Sequence, residues 1–348
     1  MSKPSDCIYV RPIIIGGARP GVHRLGGSGL GFSEVEILSR GGLSETLPVE
    51  AAAALHPETM PVIERIASPR PPIAGLSFDR PRVMGVLNTT PDSFSDGGRH
   101  HAAAAAIARG LEMAAEGADL VDIGGESTRP GAEPVSVDEE LARVVPVIEG
   151  LVAAGLDVPI SIDTRKAAVA RAAMAAGAAI LNDVSALGYD ADSPSVAAGA
   201  TGVCLMHALG DPRTMQNDPV YDDVLLDVFD YLEARLQVAV AAGADPSRCL
   251  VDPGIGFGKT LAHNLALIRG LSIFHGLGVP ILLGVSRKRF IGTLSGEDRA
   301  DRRAPGSIAA GLAGLGQGAQ VLRVHDVAGT VQAMRVWQAL NEAEGKTR

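Results

Sequence analysis

From residue 82 onward the chain alternates short apolar runs with longer, alanine-rich amphipathic stretches. Nearly every apolar run ends in a polar residue, which is typical of a buried parallel strand that reaches the surface. The runs are Val83–Asn88, Leu120–Gly124, Ile160–Asp163, Ala179–Asp183, Gly202–His207, Cys249–Asp252, Ile281–Ser286 and Val321–His325. The helical stretches are Ala102–Ala115, Asp138–Ala154, Arg165–Ala176, Asp222–Ala242, Asn264–Gly270, Ser307–Gly316 and Val327–Leu340, with a weaker one at Pro194–Ala198.

Eight strands that alternate with about eight helices over roughly 260 residues predict an α/β fold, a (β/α)8 TIM barrel. An open, doubly wound sheet is the alternative, because periodicity alone does not reveal whether a sheet closes. No GxGxxG motif follows the first run, which weakens the dinucleotide-binding version of that alternative. We expect the barrel to span residues 79–342, followed by a short tail at 343–348.

The amino-terminal residues 1–78 have a different pattern. Paired glycines interrupt this segment, and two prolines close it at Pro71 and Pro72. Ile13–Ile15 could form a strand, and Val49–Leu55 a brief helix. We expect a partly ordered extension that packs on the barrel. A small independent domain is the alternative that we disfavour, because the apolar content is thin for a core.

Composition narrows the class of protein. Apolar residues make up 46% of the chain and aromatic residues 3%, with 42 glycines, which suits an α/β protein. The formal net charge of −9 argues against a nucleic-acid partner, which would need a basic surface. The chain has no apolar run of membrane-spanning length and no signal-peptide pattern, and its three cysteines are far apart. We expect a cytoplasmic protein with neither a membrane partner nor a structural zinc site.

The predicted strand ends carry the candidate chemistry. They are Asn88, Asp122, Asp163, Asn182 with Asp183, His207, Asp252, Ser286 with Lys288, and Arg323 with His325. A single polar strand end often only caps the next helix. However, the carboxyl ends of barrel strands converge on one mouth, where buried polar groups need partners. The set therefore predicts a site for a polar ligand.

Two loops and one basic cluster add to this site. The loops Asn88–Gly98 and Gly124–Gly131 are rich in hydroxyl and charged side chains, as substrate-covering loops often are. Lys288 follows strand seven and Arg323 lies within strand eight, at the end of the barrel where phosphate is commonly bound, and we expect both to point inward. Arg287 and Arg289 are interpreted as solvated charges. The segment Asp252–Lys259 lacks the full phosphate-loop spacing, so we give it no nucleotide role.

Taken together, the motifs resemble those of the dihydropteroate synthases. The matching segments, in chain order, are GVLNTTPDSFSDGG, DIGGESTRPGA, ISIDTRK, ILNDVSAL, CLMHALGDPRTMQ, LVDPGIGFGK, GVSRKRFIG and LRVHDV. These enzymes condense 6-hydroxymethyl-7,8-dihydropterin diphosphate with 4-aminobenzoate. The products are 7,8-dihydropteroate and diphosphate, in folate biosynthesis. The resemblance covers about three-quarters of the chain, and it implies a Mg2+-dependent, sulfonamide-sensitive transferase that forms a homodimer.

The resemblance also implies roles for individual residues. The site for the pterin diphosphate would comprise Asp122, Thr128, Asp163, Asn182, Asp252, Lys288, Arg323 and His325. The 4-aminobenzoate site would comprise Phe94, Ser127, Thr128, Arg129, Pro130 and Ser286, with Lys288 at its floor. Asn88 would help to hold Mg2+, a metal that prefers hard oxygen ligands. Lys288, Arg323 and His325 would be the catalytic residues.

The implied reaction is a dissociative displacement in which diphosphate departs before the aniline nitrogen attacks. Arg323, His325 and Mg2+ would stabilise the departing diphosphate, while Asp122 and Asp163 would favour the pterin cation. The nearest alternative is a pterin-dependent methyltransferase that serves a corrinoid protein. Such an enzyme has no need of the two polar loops or of the basic end of the site. A second alternative is a pterin-binding protein that has lost its activity, and the intact loops oppose it.

Overall fold

The computed structural model describes residues 4, 7–17, 21–90, 98–127, 133–210, 215–216 and 218–341, with backbone only for 98–101. The tail predicted at 343–348 lies outside these residues. The amino-terminal part contains strands β1 (Ile8–Ile15), β2 (His23–Arg24), β3 (Gly31–Ser39) and β4 (Ser44–Pro48), then helices α1 (Val49–Leu55) and α2 (Met60–Ala67). Among the described residues, no helix is both long enough and apolar enough to cross a bilayer.

The rest of the chain alternates strands and helices. The first half contains β5 (Arg82–Asn88), α3 (Gly98–Ala115), β6 (Leu120–Gly124), α4 (Val137–Ala153), β7 (Ile160–Asp163), α5 (Ala167–Ala176), β8 (Ile180–Asp183) and α6 (Ser193–Gly199). The second half contains β9 (Gly202–Met206), α7 (Val224–Ala241), β10 (Cys249–Asp252), α8 (Leu261–Arg269), β11 (Leu282–Leu283), α9 (Arg289–Ser295), α10 (Ala304–Gly316), β12 (Val321–Val324) and α11 (Val327–Asn341).

Strands β5 to β12 form one parallel sheet that curves into a barrel. Neighbouring strands pair in the order β10-β9-β8-β7-β6-β5-β12-β11. A parallel bridge between Val251 and Ile281 connects the two ends of this order. The (β/α)8 barrel is therefore confirmed over the open sheet. Closure is the feature that the periodicity could not reveal, because it depends on a contact between the sixth and seventh strands.

Two parts of the barrel differ from the predicted pattern. The seventh strand is reduced to Leu282–Leu283, because the chain leaves the ladder at Gly284 and Ser286 turns to bond His325. The short helix α9 was not predicted. It begins directly after Lys288 and ends at Ser295, followed by Gly296 in the left-handed conformation.

The amino-terminal segment contains more regular structure than the one strand and one helix expected. β3 pairs antiparallel with β1, β2 and β4, and its residues Phe32, Val35 and Ile37 are fully buried. They form an apolar cluster with Val10, Leu25 and α2, and Trp337 of α11 packs against it. Charged residues on the outer face of β3 alternate with its buried apolar residues. A simple count of apolar residues therefore underestimates what this strand contributes to a core.

This extension is fastened to the outside of the barrel. The Tyr9 hydroxyl donates to both carboxylate oxygens of Asp230 on α7, at 3.0 and 2.9 Å. Arg40 donates to Asp230 at 2.7 Å and pairs with Asp227 at 2.7 Å. The hydroxyl of Ser272 also donates to the Pro12 carbonyl at 2.9 Å.

Candidate active site

Five of the predicted site residues lie at the carboxyl ends of barrel strands. Asp163 and Asp252 are the last residues of β7 and β10, and Asn182 is the second-last residue of β8. Asp122 lies within β6, and Arg323 lies within β12. Because the strands are parallel and in register, with Gly124 opposite Asp163 and Asp163 opposite Asn182, their ends meet at one mouth.

Arg323 connects two of these carboxylates across the mouth. Its Nε donates to Asp122 Oδ2 at 2.6 Å, and its Nη2 donates to Asp163 Oδ2 at 2.7 Å. Asn182 Nδ2 donates to the same oxygen of Asp122 at 3.0 Å. Four residues from four strands therefore form one hydrogen-bonded cluster. Such a cluster fixes the guanidinium in a single orientation, because its two ends are bonded to different strands.

The cluster leaves two acceptors without partners. Among the described residues, neither Asp122 Oδ1 nor Asp163 Oδ1 has a hydrogen-bond partner, although both atoms are buried. Burial raises the pKa of Asp163 to about 7; the adjacent Asp122 carboxylate adds to this effect, and Arg323 opposes it. A buried acceptor without a partner is costly, so a ligand that offers N–H donors here would be stabilised.

Lys288 and Asp252 converge on Gly284. A Cβ atom added to Gly284 would lie 3.6 Å from Lys288 Nζ, 3.7 Å from Asp252 Oδ2 and 3.9 Å from Arg323 Cβ. The other oxygen of Asp252, Oδ1, accepts from the Gly254 N–H at 2.7 Å. Burial raises the pKa of Asp252 and lowers the pKa of Lys288 to about 8. The structure thus places a carboxylate and an amine side by side around an unfilled position.

Phe257 is a contact of the Lys288 amine that the sequence analysis did not single out. Lys288 Nζ donates to the Ile255 carbonyl and lies 4.8 Å from the centre of the Phe257 ring. Both contacts come from the loop after β10, whose glycines suggested a phosphate loop and were set aside. The sequence feature that could have identified Phe257 is that it is the single aromatic residue within that loop.

His325 and Ser286 are neighbours at the ends of β12 and β11. The Ser286 hydroxyl lies 3.0 Å from His325 Nδ1 and accepts from the His325 backbone N–H at 3.1 Å. His325 also lines a cavity of about 500 Å³ together with Asn88, Arg287 and Asp326. His325 and Asn88, the residue predicted to hold Mg2+, therefore line the same cavity.

Arg287 is not the solvated charge that we expected. Its guanidinium donates to both carboxylate oxygens of Asp326, at 3.0 and 2.5 Å, beside the same cavity. Its backbone has a φ of 59°, a conformation that L residues with long side chains rarely adopt. The sequence gives no local sign of this turn, which depends on a partner 39 residues away.

Asn88 ends β5 close to Asp163. A Cβ atom added to Gly124 would lie 3.8 Å from Asn88 Oδ1 and 3.7 Å from Asp163 Oδ2. Among the described residues, no group of three or more His, Cys, Asp or Glu side chains could hold a metal ion. A single amide oxygen still fits Mg2+, which is commonly held by one or two protein ligands together with phosphate oxygens and waters.

Part of the predicted site lies outside the described residues, namely Phe94, Thr128, Arg129 and Pro130. Ser127 is described and half-buried. Its neighbour Glu126, which the sequence analysis did not single out, forms ion pairs with Arg165 at 3.0 Å and Lys166 at 3.1 Å.

Two strand ends from the predicted set are already bonded to other groups of the protein. Asp183 accepts from the Ser185 N–H and hydroxyl and from the Leu187 N–H, which makes it a turn-stabilising residue. His207 lies 2.8 Å from the amine of the buried Lys259. For Asp183, these contacts support the alternative that it has a structural role and caps a turn.

Comparisons with known proteins identify the family of this chain. The family model described as "Pterin binding enzyme" matches residues 84–325. The dihydropteroate synthase of Neisseria meningitidis serogroup B is 49% identical over 271 residues, covering 76% of this chain and 94% of the relative. The Escherichia coli K12 enzyme is 45% identical over 273 residues, covering 78% and 96%. The chain belongs to the dihydropteroate synthase family of pterin-binding enzymes.

Solved dihydropteroate synthases have the same fold. The Xanthomonas albilineans enzyme with 4-aminobenzoic acid is 52% identical, with a TM-score of 0.73, over 78% of this chain and 98% of the other. The same organism's enzyme in complex with 7,8-dihydropteroate is 49% identical, with a TM-score of 0.70, over 78% and 98%. A Yersinia pestis dihydropteroate synthase with a sulfonamide drug complex is 46% identical, with a TM-score of 0.73, over 78% and 98%.

Proposed function

We propose that this protein is a dihydropteroate synthase, a transferase of folate biosynthesis. It joins 6-hydroxymethyl-7,8-dihydropterin diphosphate to 4-aminobenzoate and releases diphosphate. The observation that carries this proposal is the cluster in which Arg323 bonds Asp122 and Asp163, with Asp252 and Lys288 beside it. It offers carboxylates for a nitrogen-rich ring and cations for a phosphorylated leaving group.

The pterin would occupy the space around Gly284. Its amino-imine edge resembles a guanidine and would donate to Asp252, whose Oδ2 faces this space. Lys288 would donate to the ring carbonyl or N5, and Asn182 to a neighbouring ring atom. The unpartnered Oδ1 of Asp163 would accept a further ring N–H. Each of these contacts would satisfy a polar group that burial otherwise penalises.

The diphosphate would lie toward His325 and Asn88. Arg323 is held at the boundary between the two parts of the substrate, so its flat guanidinium can contact the pterin ring and face the phosphates. His325 would contribute a further donor, and Thr128 another by resemblance. Asn88 would hold Mg2+ through its amide oxygen, and the bound metal would offset part of the charge of the diphosphate.

The 4-aminobenzoate would bind between the loop residue Ser127 and the floor formed by Ser286 and Lys288. The Phe257 ring, next to Lys288, adds an apolar surface that suits an aromatic substrate. By resemblance, Phe94, Arg129 and Pro130 would complete this subsite. The amine of the substrate would then face the pterin methylene carbon.

The reaction would proceed by dissociation first. The bond between the methylene carbon and the diphosphate oxygen breaks, and the electron pair leaves with diphosphate toward Arg323 and His325. The remaining pterin cation is favoured by the buried carboxylates of Asp122 and Asp163. The lone pair of the neutral aniline nitrogen forms the new C–N bond, and that nitrogen then passes its extra proton to water or to the released diphosphate. No covalent bond to an enzyme side chain is required.

A diphosphate-release assay tests the proposal. The purified protein is given the pterin diphosphate, Mg2+ and 4-aminobenzoate, and release is compared with an enzyme-free control and with a reaction lacking 4-aminobenzoate. Release at the enzyme-free rate would overturn the proposal. The methyltransferase alternative is not favoured, because the relatives and solved structures named above are all dihydropteroate synthases.

Three further properties remain predictions from the resemblance or the composition: the use of Mg2+, a homodimer and a cytoplasmic location. Removal of Mg2+ by a chelator, followed by re-addition, tests the first through diphosphate release. Size-exclusion chromatography with light scattering tests the second, and fractionation of the source cells tests the third.

A further inference from the structure

The loop of residues 253–259, called the glycine loop below, contacts the Lys288 amine. Its Ile255 carbonyl accepts from Lys288 Nζ, and its Phe257 ring lies 4.8 Å from the same atom. The loop also orients Asp252, since the Gly254 N–H donates to Asp252 Oδ1. The position of this loop therefore determines where two of the proposed pterin contacts lie.

The glycine loop follows a path that side chains would block. Gly254 and Gly258 have φ values of +67° and +64°. A Cβ atom on Gly254 would lie 1.8 Å from the His207 carbonyl oxygen, and one on Gly258 would lie 2.6 Å from Leu209 Cβ. The loop thus rests directly against the chain that follows β9, with no room for movement toward it.

Lys259 fastens the loop to that neighbouring chain. Its Nζ lies 2.8 Å from His207 Nδ1 and 3.4 Å from the His207 carbonyl oxygen, and it donates to the Phe257 carbonyl at 3.0 Å. Three acceptors match the three N–H donors of an ammonium group. The side chain is only 3% exposed, so these bonds are shielded from water.

The surroundings of His207 favour a neutral ring. His207 is 4% exposed, and its ring packs edge-on against Tyr231 with the centroids 4.7 Å apart. Burial, together with the charge of Lys259, lowers the pKa of His207 well below its usual value, so its ring is neutral. A neutral ring that accepts at Nδ1 carries its proton on Nε2. Burial also lowers the pKa of Lys259, which Asp252 opposes.

Other contacts hold the loop from its outer side. Gln216 donates to the Gly256 carbonyl at 2.5 Å, and the Tyr221 hydroxyl donates to the Gly258 carbonyl at 2.7 Å. Asn264 accepts from the Gly256 N–H at 2.7 Å. These side chains bond the middle of the loop. Lys259, at the end of the loop, bonds His207, which directly follows β9.

We propose that Lys259, through its bond to His207, is a positioning residue that fixes the glycine loop and thereby holds the Lys288 amine where the pterin binds. This inference rests on the proposed function and deepens it, because it assigns roles to two buried residues that have none in the proposed substrate contacts. Lys259 acts on Lys288 through Ile255 and Phe257, so removal of its amine loosens the end of the loop and leaves each proposed substrate contact in place.

The test uses full-length variants and steady-state kinetics. Lys259→Met keeps the apolar stem and removes the amine, and His207→Leu removes the acceptor. Each is expected to raise KM for the pterin diphosphate about tenfold while changing kcat by less than about threefold, because the contact made by Lys288 is present in both the ground state and the transition state. Calorimetry with the pterin diphosphate alone is expected to show the same loss of affinity.

Two further variants separate positioning from loss of stability. His207→Asn keeps an acceptor close to the position of Nδ1 and is expected to stay within about threefold of the wild-type KM. The double variant Lys259→Met/His207→Leu is expected to be no worse than either single variant, since both remove the same bond. Ile73→Ala removes a buried side chain at the opposite end of the barrel and serves as a control that lowers Tm without raising KM.

The outcomes are distinct. A wild-type protein that releases no diphosphate would defeat the proposed function before any variant is compared. An active wild type with unchanged KM in Lys259→Met would defeat only the positioning role. An equal rise of KM in Ile73→Ala would also defeat it, because general destabilisation would then explain the effect. If Lys259→Met does not fold, the two His207 variants provide the test. The inference is overturned if KM for the pterin diphosphate is no higher in His207→Leu than in His207→Asn.

Discussion

Arg323 Nη2 donates to Asp163 Oδ2 at 2.7 Å, which joins the eighth strand of the barrel to the third. The same guanidinium holds Asp122, so one cation is shared by two buried carboxylates. This arrangement leaves a net negative charge at the mouth when both carboxylates are ionised. It explains how one site can favour a pterin cation and still present a cation to a leaving diphosphate.

The shared cation leads to a prediction about pH. Asp163 has a pKa of about 7 and Lys288 a pKa of about 8. Asp163 must lose its proton to accept from the pterin, and Lys288 must keep its proton to donate. We expect kcat/KM for the pterin diphosphate to rise as the pH passes about 7 and to fall as it passes about 8. Steady-state rates from pH 5.5 to about 9.5 measure this.

Asp163→Asn is the matched variant for the pH profile. It preserves the size of the side chain and cannot titrate, so the rise near pH 7 is expected to vanish while the fall near pH 8 remains. An acid limb that survives in Asp163→Asn would assign the rise to the substrate or to another group.

Asp252→Ala is expected to remove pterin binding and to preserve the fold. The substitution takes away the acceptor for the amino-imine edge, and we expect the affinity to fall by at least about a hundredfold. Isothermal calorimetry with the pterin diphosphate measures the affinity, and circular dichroism checks the fold. Asp157→Ala, at an exposed position, is the control with normal binding. Equal affinities for the two variants would refute the edge pairing.

Gly284→Ala tests whether the unfilled position between Lys288 and Asp252 belongs to the substrate. The new Cβ would make ordinary contacts at 3.6 and 3.7 Å, so the unfolding free energy should stay within about 1 kcal/mol of wild type. The added methyl group occupies the proposed pterin space, and we expect KM for the pterin diphosphate to rise about tenfold or more. Gly316→Ala, whose Cβ would meet nothing within 4 Å, is the control. An unchanged KM in Gly284→Ala would mean that the pterin does not occupy the space around Gly284.

Sulfonamides are expected to compete with 4-aminobenzoate, because they have a similar shape and also carry an aniline nitrogen. Increasing 4-aminobenzoate should restore the full kcat at every inhibitor concentration, which initial-rate measurements show directly. A sulfonamide without the 4-amino group is the control and should inhibit more weakly. Inhibition that 4-aminobenzoate cannot reverse would contradict the assignment of Ser127, Ser286 and Lys288 to one subsite.

Tyr9→Phe tests the attachment of the amino-terminal extension to the barrel. The variant loses the hydroxyl that donates to Asp230, and we expect the free energy of unfolding to fall by about 1 to 2 kcal/mol, with kcat unchanged. Urea denaturation followed by fluorescence or circular dichroism measures the change. Tyr189→Phe, at a largely exposed tyrosine, is the control. Equal stabilities would mean that the Tyr9 hydroxyl adds nothing to stability.

The sequence by itself determined the fold class and most of the candidate residues. The alternation of apolar runs and amphipathic stretches is a local pattern, and each strand-end residue, such as Asp163 or Asp252, is identified by the run that it ends. The family motifs then assigned roles to those residues. These features are visible in the sequence because each depends on neighbours within one strand or one loop.

Only the tertiary structure decided how those residues are paired. Barrel closure depends on Val251 meeting Ile281, and the bonds from Arg323 to Asp122 and Asp163 span 201 and 160 positions. The bond of Lys259 to His207 spans 52 positions, and the sheet of the extension forms only when β1 pairs with β3. Such contacts leave no periodic trace, because their energy arises only when distant segments are brought together and water is excluded from between them.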